Sequence, residues 1–361
     1  MSLTPCPTTI PKYYTVTLHL IAALSVPVNM VGFYLVWCQS PKMKGYKYCL
    51  CYLQLVSFIS ELHMSLISPG YYFFPMIGGY NTGAELMSSH LSMTIWVFIL
   101  AFELPSALLC FVFRHNAAEE ISRVCFRNAT TKKNNFKVQT VPSKMYMEKF
   151  CLLLCHLFPF ATAFSMWKSR LTYQQKYDFM SENWPQCMYW MRFEAFEVYD
   201  YKLNPWLAVV GIGALSFVLL VYTYGLTLGF HTILILQKHQ KSMSRQTYQM
   251  HKMFLFSLLM QLLIPGILIV VPFGICMFVV VTGSISLQEL ATDTMFLVGS
   301  HSTCSSSVMI LSNPRYRRVL KEKLIKILRL KQASDPRNGN SVRPSQRSIS
   351  FVVIQSTTTA S

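Results

Sequence analysis

Apolar residues gather along the chain in seven blocks separated by polar stretches, over 13–37, 46–68, 88–113, 147–167, 206–236, 253–283 and 290–311. A helix needs about 20 predominantly apolar residues to cross the hydrocarbon core of a bilayer. Only helices and closed barrels satisfy every backbone group in lipid, and blocks this long exclude barrel strands. The fifth, WLAVVGIGALSFVLLVYTYGLTLGF, and the sixth, MFLFSLLMQLLIPGILIVVPFGICMFVVV, are the strongest. The seventh, ATDTMFLVGSHSTCSSSVMIL, is diluted by Ser and Thr, which hydrogen-bond readily inside a bundle. The pattern predicts an all-α membrane protein. Residues 1–12 form an N-terminal segment and 13–311 a seven-transmembrane helix bundle. A short amphipathic interfacial helix follows at 312–330, and then a polar, disordered tail at 331–361.

Composition agrees with a membrane protein. Apolar residues make up 52% of the chain and charged residues 13%, about half the ~25% usual in soluble domains. The net charge of +17 does not indicate nucleic acid, because the basic residues lie between apolar blocks rather than on one domain. The loop after the first block, the segment 114–149, the loop 238–252 and everything from Arg315 together hold 26 of the 32 Lys and Arg. The positive-inside rule therefore puts the N-terminus outside and the C-terminus in the cytosol. The sequon Asn128–Thr130 falls on the cytosolic side and is a chance match. Of the eleven cysteines, only Cys6 and Cys187 lie clearly outside, which makes them candidates for one disulfide; connectivity is not readable from sequence.

Several phrases narrow the class. LSVPVNMVGFYLVWCQSPKMKGYKYCLCYLQ (24–54) resembles the first helix and loop of nematode serpentine chemoreceptors of the Srh and Sri classes, with Sri favoured. SPGYYFFPMIGGYNTG (68–83), YDFMSENWPQC (177–187) and MSRQTYQMHKMFLFSLLMQLLIPGILIVVPF (243–273) are similar to later segments of the same family. NPRYR (313–317) looks like its terminal Pro-Tyr-Arg signature, with Arg315 inserted. The resemblance covers most of residues 5–330. It implies a G-protein-coupled chemosensory receptor in the plasma membrane of chemosensory neurons, with their ciliary membrane as the narrower location. Such a receptor binds a small external ligand within the bundle and activates a heterotrimeric G protein. A seven-helix ligand-gated channel or transporter is the alternative, though no internal repeat or charged ring supports it. An enzyme is not expected, because no catalytic constellation is visible.

Candidate residues follow from the cost of polar groups in lipid. Glu61 in the second block and Glu103 in the third are either switch elements or structural hydrogen bonds between helices. His90 and His301 are candidate ligand contacts, with a satisfied core histidine as the competing role. No metal-ligand spacing is apparent, so neither metal nor cofactor is expected. The loop 168–205 is dense in aromatics, and Trp184, Tyr189 and Trp190 beside Cys187 read as a lid over a ligand cavity or as a headgroup belt. Pro265 and Pro272 would localise bending in the sixth helix, with kinks expected also at Pro27, Pro105 and Pro159. Arg114 would face a G protein or simply snorkel. Pro314, Tyr316 and Arg317 form the hinge into the basic helix, which faces anionic membrane lipids and not nucleic acid. Ser345, Ser348 and Ser350 in the tail sit near arginines and are candidate phosphorylation sites.

The orientation is directly testable. An N-terminal epitope should be stained on intact cells and a C-terminal one only after permeabilisation, with Asn128 unmodified; a glycan on Asn128 would overturn the topology.

Overall fold

The apolar blocks become helices in a computed structural model that describes residues 6–39, 45–83, 87–131, 142–242 and 244–333. Six helices are long and apolar enough to cross a membrane. They are α1 (Lys12–Gln39), α2 (Tyr46–Leu62, continued by a wider π turn His63–Ile67), α3 (Ser89–Thr131), α4 (Pro142–Lys168), α6 (Trp206–Lys238) and α7 (Arg245–Thr282). Between them α5 (Tyr173–Asn183) lies in the loop before α6. The seventh span is not one helix but three short ones, α8 (Gln288–Asp293), α9 (Met295–Gly299) and α10 (His301–Ser312). The helix α11 (Pro314–Ala333) follows.

The chain divides into two units, Met1–Tyr316 and Arg317–Ser361. In the first, α3 is the central helix and packs against α2, α4, α6 and α7, while α10 packs against α7, α1 and α2. The distribution of burial is that of a bundle in lipid. Ile212 and Val281 are 70% and 72% exposed, whereas Glu61 and Asn29 are fully buried. Water could not tolerate the first arrangement on this scale, nor lipid the reverse of the second.

The boundary that differs most from expectation is the end of α3. α3 runs 18 residues beyond the expected end at 113, because HNAAEEISRV continues in helix-forming residues and Glu119 pairs with Arg123 one turn on at 3.2 Å. The sequon at Asn128 therefore falls within the last turns of a helix rather than in a loop; its side chains lie outside the described residues. Helices α1, α3, α4 and α7 continue through Pro27, Pro105, Pro159, Pro265 and Pro272. The tail beyond residue 333, with Ser345, Ser348 and Ser350, lies outside the described residues.

The outer face carries a cap whose strands the apolar pattern does not foretell. β1 (Gly70–Tyr72) and β2 (Gly78–Asn81) form an antiparallel hairpin after α2, and β3 (Phe196–Val198) from the loop before α6 adds to β2. Thr172 caps α5 in a reciprocal box with Gln175, its backbone N–H donating to Gln175 Oε1 at 2.9 Å. Cys6 and Cys187 are joined by a disulfide. Next to it Trp190 Nε1 donates to the Pro7 carbonyl at 2.8 Å. Tyr14, Tyr71, Phe73, Met180, Trp190 and Phe196 fill the cap's core. Burial pushes the Tyr71 phenol up to about 12, so it stays neutral. Lys176 pairs with Glu197 at the edge of the sheet.

The disulfide closes a chain segment of 181 residues. Replacing Cys6 by Ser should cost about 2–4 kcal/mol, read as a lower unfolding temperature in detergent. Treatment of the wild type with reductant should produce the same shift; no shift in either would mean that the noncovalent cap core suffices.

Candidate functional site

Every break in a transmembrane helix exposes backbone groups that lipid cannot satisfy. The break between α9 and α10 lies at Ser300, whose hydroxyl does not cap the new helix but donates back to the Leu297 carbonyl at 3.1 Å. The cap comes from another helix. Thr303 is the third residue of α10, and its N–H donates to Glu61 Oε2 at 2.9 Å while its hydroxyl donates to Glu61 Oε1 at 2.5 Å. A carboxylate at a helix N-terminus also meets the positive end of the helix dipole. On the other side of the break, His301 Nδ1 lies 2.6 Å from the Val298 carbonyl.

That contact sets the histidine's tautomer. A carbonyl can only accept, so Nδ1 carries a proton. The other nitrogen, Nε2, faces Glu103 Oε1 at 2.8 Å. Either Nε2 donates to a carboxylate or a protonated carboxyl donates to Nε2. The pair thus shares one proton, and moving it converts an ion pair into a neutral pair without breaking the contact. Both side chains are buried, so the two states differ sharply in their cost to the surroundings.

A second polar knot joins α1, α2 and α10 below the break. Asn29 Nδ2 donates to the Ser25 hydroxyl at 3.0 Å, and Asn29 Oδ1 accepts from Ser302 at 3.1 Å and Ser306 at 2.6 Å. Gln54 Nε2 donates to the Asn29 carbonyl at 3.1 Å and reaches Ser306 Oγ at 3.2 Å. Gly32 makes this possible, because a Cβ there would overlap the Gln54 amide. A cavity of about 10 Å³ beside Gln54, Gln261 and Ser306 has room for roughly one water.

Above the break lies an apolar chamber packed with its own side chains. Trp96 of α3, Cys276 and Val279 of α7, and Met295 and Val298 of α9 form one cluster, with Leu100 and Phe273 against it. Leu100 and Glu103 are one turn apart on α3, as are Val298 and His301 along the chain. The Glu103–His301 pair therefore adjoins this cluster, with the Val298 carbonyl as the link to His301. Further along α3, the Arg114 guanidinium stacks on the Tyr46 ring at 3.6 Å, and Tyr46 is buried beside Phe113.

A family model for the serpentine type 7TM GPCR chemoreceptor Sri matches residues 4–320. The chain belongs to that family. It is thus a multi-pass membrane receptor of a chemoreceptor family, not a member of an enzyme family. No curated protein matches the receptor at a significant level.

The candidate residues of this receptor fall into separate places. Glu61, Glu103 and His301 converge on the break in the seventh span. His90 does not join them; buried at the top of α3, it spends Nδ1 on the Tyr199 hydroxyl at 3.0 Å and Nε2 on the Trp167 carbonyl at 3.1 Å. Trp184 and Trp190 pack in the outer cap beside Cys187, while Tyr189 is exposed. Pro314 opens α11, where the Arg315 N–H donates to Asn313 Oδ1 at 3.1 Å, and Tyr316 is buried. Arg317 begins the second unit and is exposed. Asn29, Gln54 and Thr303 were missed. A rule that weighted amides in apolar blocks as heavily as charges would have found the first two; Thr303 needed the helix break.

Glu61→Leu leaves the partly buried Thr303 N–H and hydroxyl without the acceptor that Glu61 supplies and should lower stability by about 3 kcal/mol. Glu61→Gln keeps an acceptor and should cost less than half of that. Thermal unfolding in detergent ranks the two; equal losses would mean that Glu61 serves packing alone.

Proposed function

We propose that the receptor binds a small external molecule in the chamber above the Glu103–His301 pair and signals through a heterotrimeric G protein in the plasma membrane of a chemosensory neuron. The observation that carries this reading is the continuity of the apolar cluster with a buried, proton-sharing pair on the one span that is already broken. The chamber favours a compact, mostly apolar molecule with one hydrogen-bonding group. To enter, the molecule displaces side chains around Trp96, Phe273 and Met295, and its polar group competes for His301. A change at His301 moves α10, which is tied to α1 and α2 through Asn29 and Gln54. Two packings of the bundle that differ in affinity for the ligand are all that such a switch requires.

On the cytosolic side, Arg114 and the basic segment 238–252, which includes the first turns of α7, are the surfaces that a G protein would meet. The prolines Pro265 and Pro272 divide α7 above that segment and give it places to bend. The segment 312–330 lies on anionic lipid with its basic face toward the headgroups. The cap that carries Trp184 and Trp190 acts as the lid.

The test is nucleotide exchange. Receptor reconstituted with a G protein and screened against small odorant-like molecules, first by calcium imaging in an expressing neuron, should accelerate exchange with at least one of them. Glu103→Gln should reduce that stimulation about tenfold with surface expression unchanged. Flat exchange across the panel, together with ligand-gated current in the absence of G protein, would favour the channel instead.

A further inference from the structure

His115 and Glu119 stand one helical turn apart on α3, so their side chains share a face. His231 of α6 meets them there. His115 Nε2 and His231 Nδ1 are 2.7 Å apart, and His115 Nε2 is 3.7 Å from Glu119 Oε1. One ligand atom from each of the three residues lies within 4.8 Å of the other two. The expectation of no metal-ligand spacing looked for ligands close together in one stretch. Here the third ligand comes from a different helix, 116 residues beyond His115, and no linear pattern could show it.

We propose that His115, Glu119 and His231 form a binding site for a divalent transition-metal ion, zinc by preference, which ties α3 to α6. Two imidazole nitrogens and one carboxylate oxygen suit zinc and its neighbours and are a poor match for magnesium or calcium, which take oxygen ligands. Three protein ligands leave a fourth tetrahedral position for water. Ligand atoms about 2.0–2.1 Å from zinc stand about 3.3 Å from one another, and the spacings here bracket that value. Without an ion the two rings share one N–H···N hydrogen bond. On metal binding the ring that donates this bond takes up its other neutral tautomer, its proton passing through water to the ring's second nitrogen, so that both neutral rings offer a lone pair to the ion and the rings part by about 0.6 Å.

The surroundings fit the same role. Glu119 Oε2 accepts from Arg123 Nη2 at 3.2 Å, which turns the other oxygen toward the histidines; outer partners of this kind orient a metal's ligands. His115 is buried and His231 exposed, so the site is anchored at the bundle interior and lies at the surface of α6, two turns from its end at Lys238. The two helices meet again further along, where Ser122 Oγ and His239 Nε2 are 2.8 Å apart. That joint is an ordinary hydrogen bond and makes an internal control. The metal site does not depend on which ligand or partner the receptor has.

Cobalt(II) is the probe, added to the full-length receptor purified in detergent through a tag without histidines. Wild type should bind about one cobalt per receptor with the visible absorption of a four-coordinate ion and no thiolate charge-transfer band. Zinc should displace the cobalt and magnesium should not. His231→Ala and Glu119→Gln should abolish the band, and His239→Ala should keep it. Glu119→Gln preserves shape and guards against a folding defect, which metal-free thermal unfolding checks for every variant. Zinc should raise the unfolding temperature of wild type and leave that of Glu119→Gln unchanged. Absence of the band in wild type, or its survival in both variants, overturns the proposal and leaves only a hydrogen bond between the two rings.

Discussion

A carboxylate that closes a helix end inside a bilayer holds the rest of this receptor in register. The seventh span breaks at Ser300, and the free N–H of Thr303 would cost several kcal/mol in hydrocarbon. Glu61 of α2 accepts it, together with the Thr303 hydroxyl. Because α10 starts there and not elsewhere, His301 faces Glu103, and Ser302 and Ser306 face Asn29. Three of the interhelical polar contacts in the bundle thus follow from where one helix begins.

The break also separates two kinds of interior. Above it, the chamber around Trp96 and Met295 is apolar and lies beneath a cap built from a small sheet, a disulfide and a cluster of aromatic rings. Below it, amides and hydroxyls of α1, α2 and α10 knot the bundle together. On the proposed function, a molecule arriving from outside would meet the apolar region first and the shared proton of Glu103 and His301 next. Beyond them lie the Asn29 and Gln54 links, through which the proposed switch would act. Dense packing makes such an interior bistable rather than continuously deformable.

The helical architecture was legible because lipid leaves few solutions. Apolar length marks the spans, and Lys and Arg mark their sides. Glu61, Glu103 and His301 stood out for a related reason, since ionisable groups in hydrocarbon are costly. The competing role as structural hydrogen bonds is the one their geometry displays, and it is compatible with switching. What sequence could not show depends on non-local contact. Short strands such as Gly70–Tyr72 and Phe196–Val198 carry too few residues for an alternating pattern. The pairing of His115 with His231 joins helices far apart in the chain. The division of the seventh span into three helices was foreshadowed only by its Ser and Thr content, since hydroxyls such as those of Thr294 and Ser300 can satisfy the carbonyls that a break releases.

Glu61 holds the start of α10 closed. Hydrogen–deuterium exchange of the segment 300–306, compared between wild type and Glu61→Leu, addresses it most directly. Exchange should be slow in wild type and, in the variant, fast within that segment alone, with α4 unchanged. Equal protection of residues 300–306 in the two proteins would contradict it.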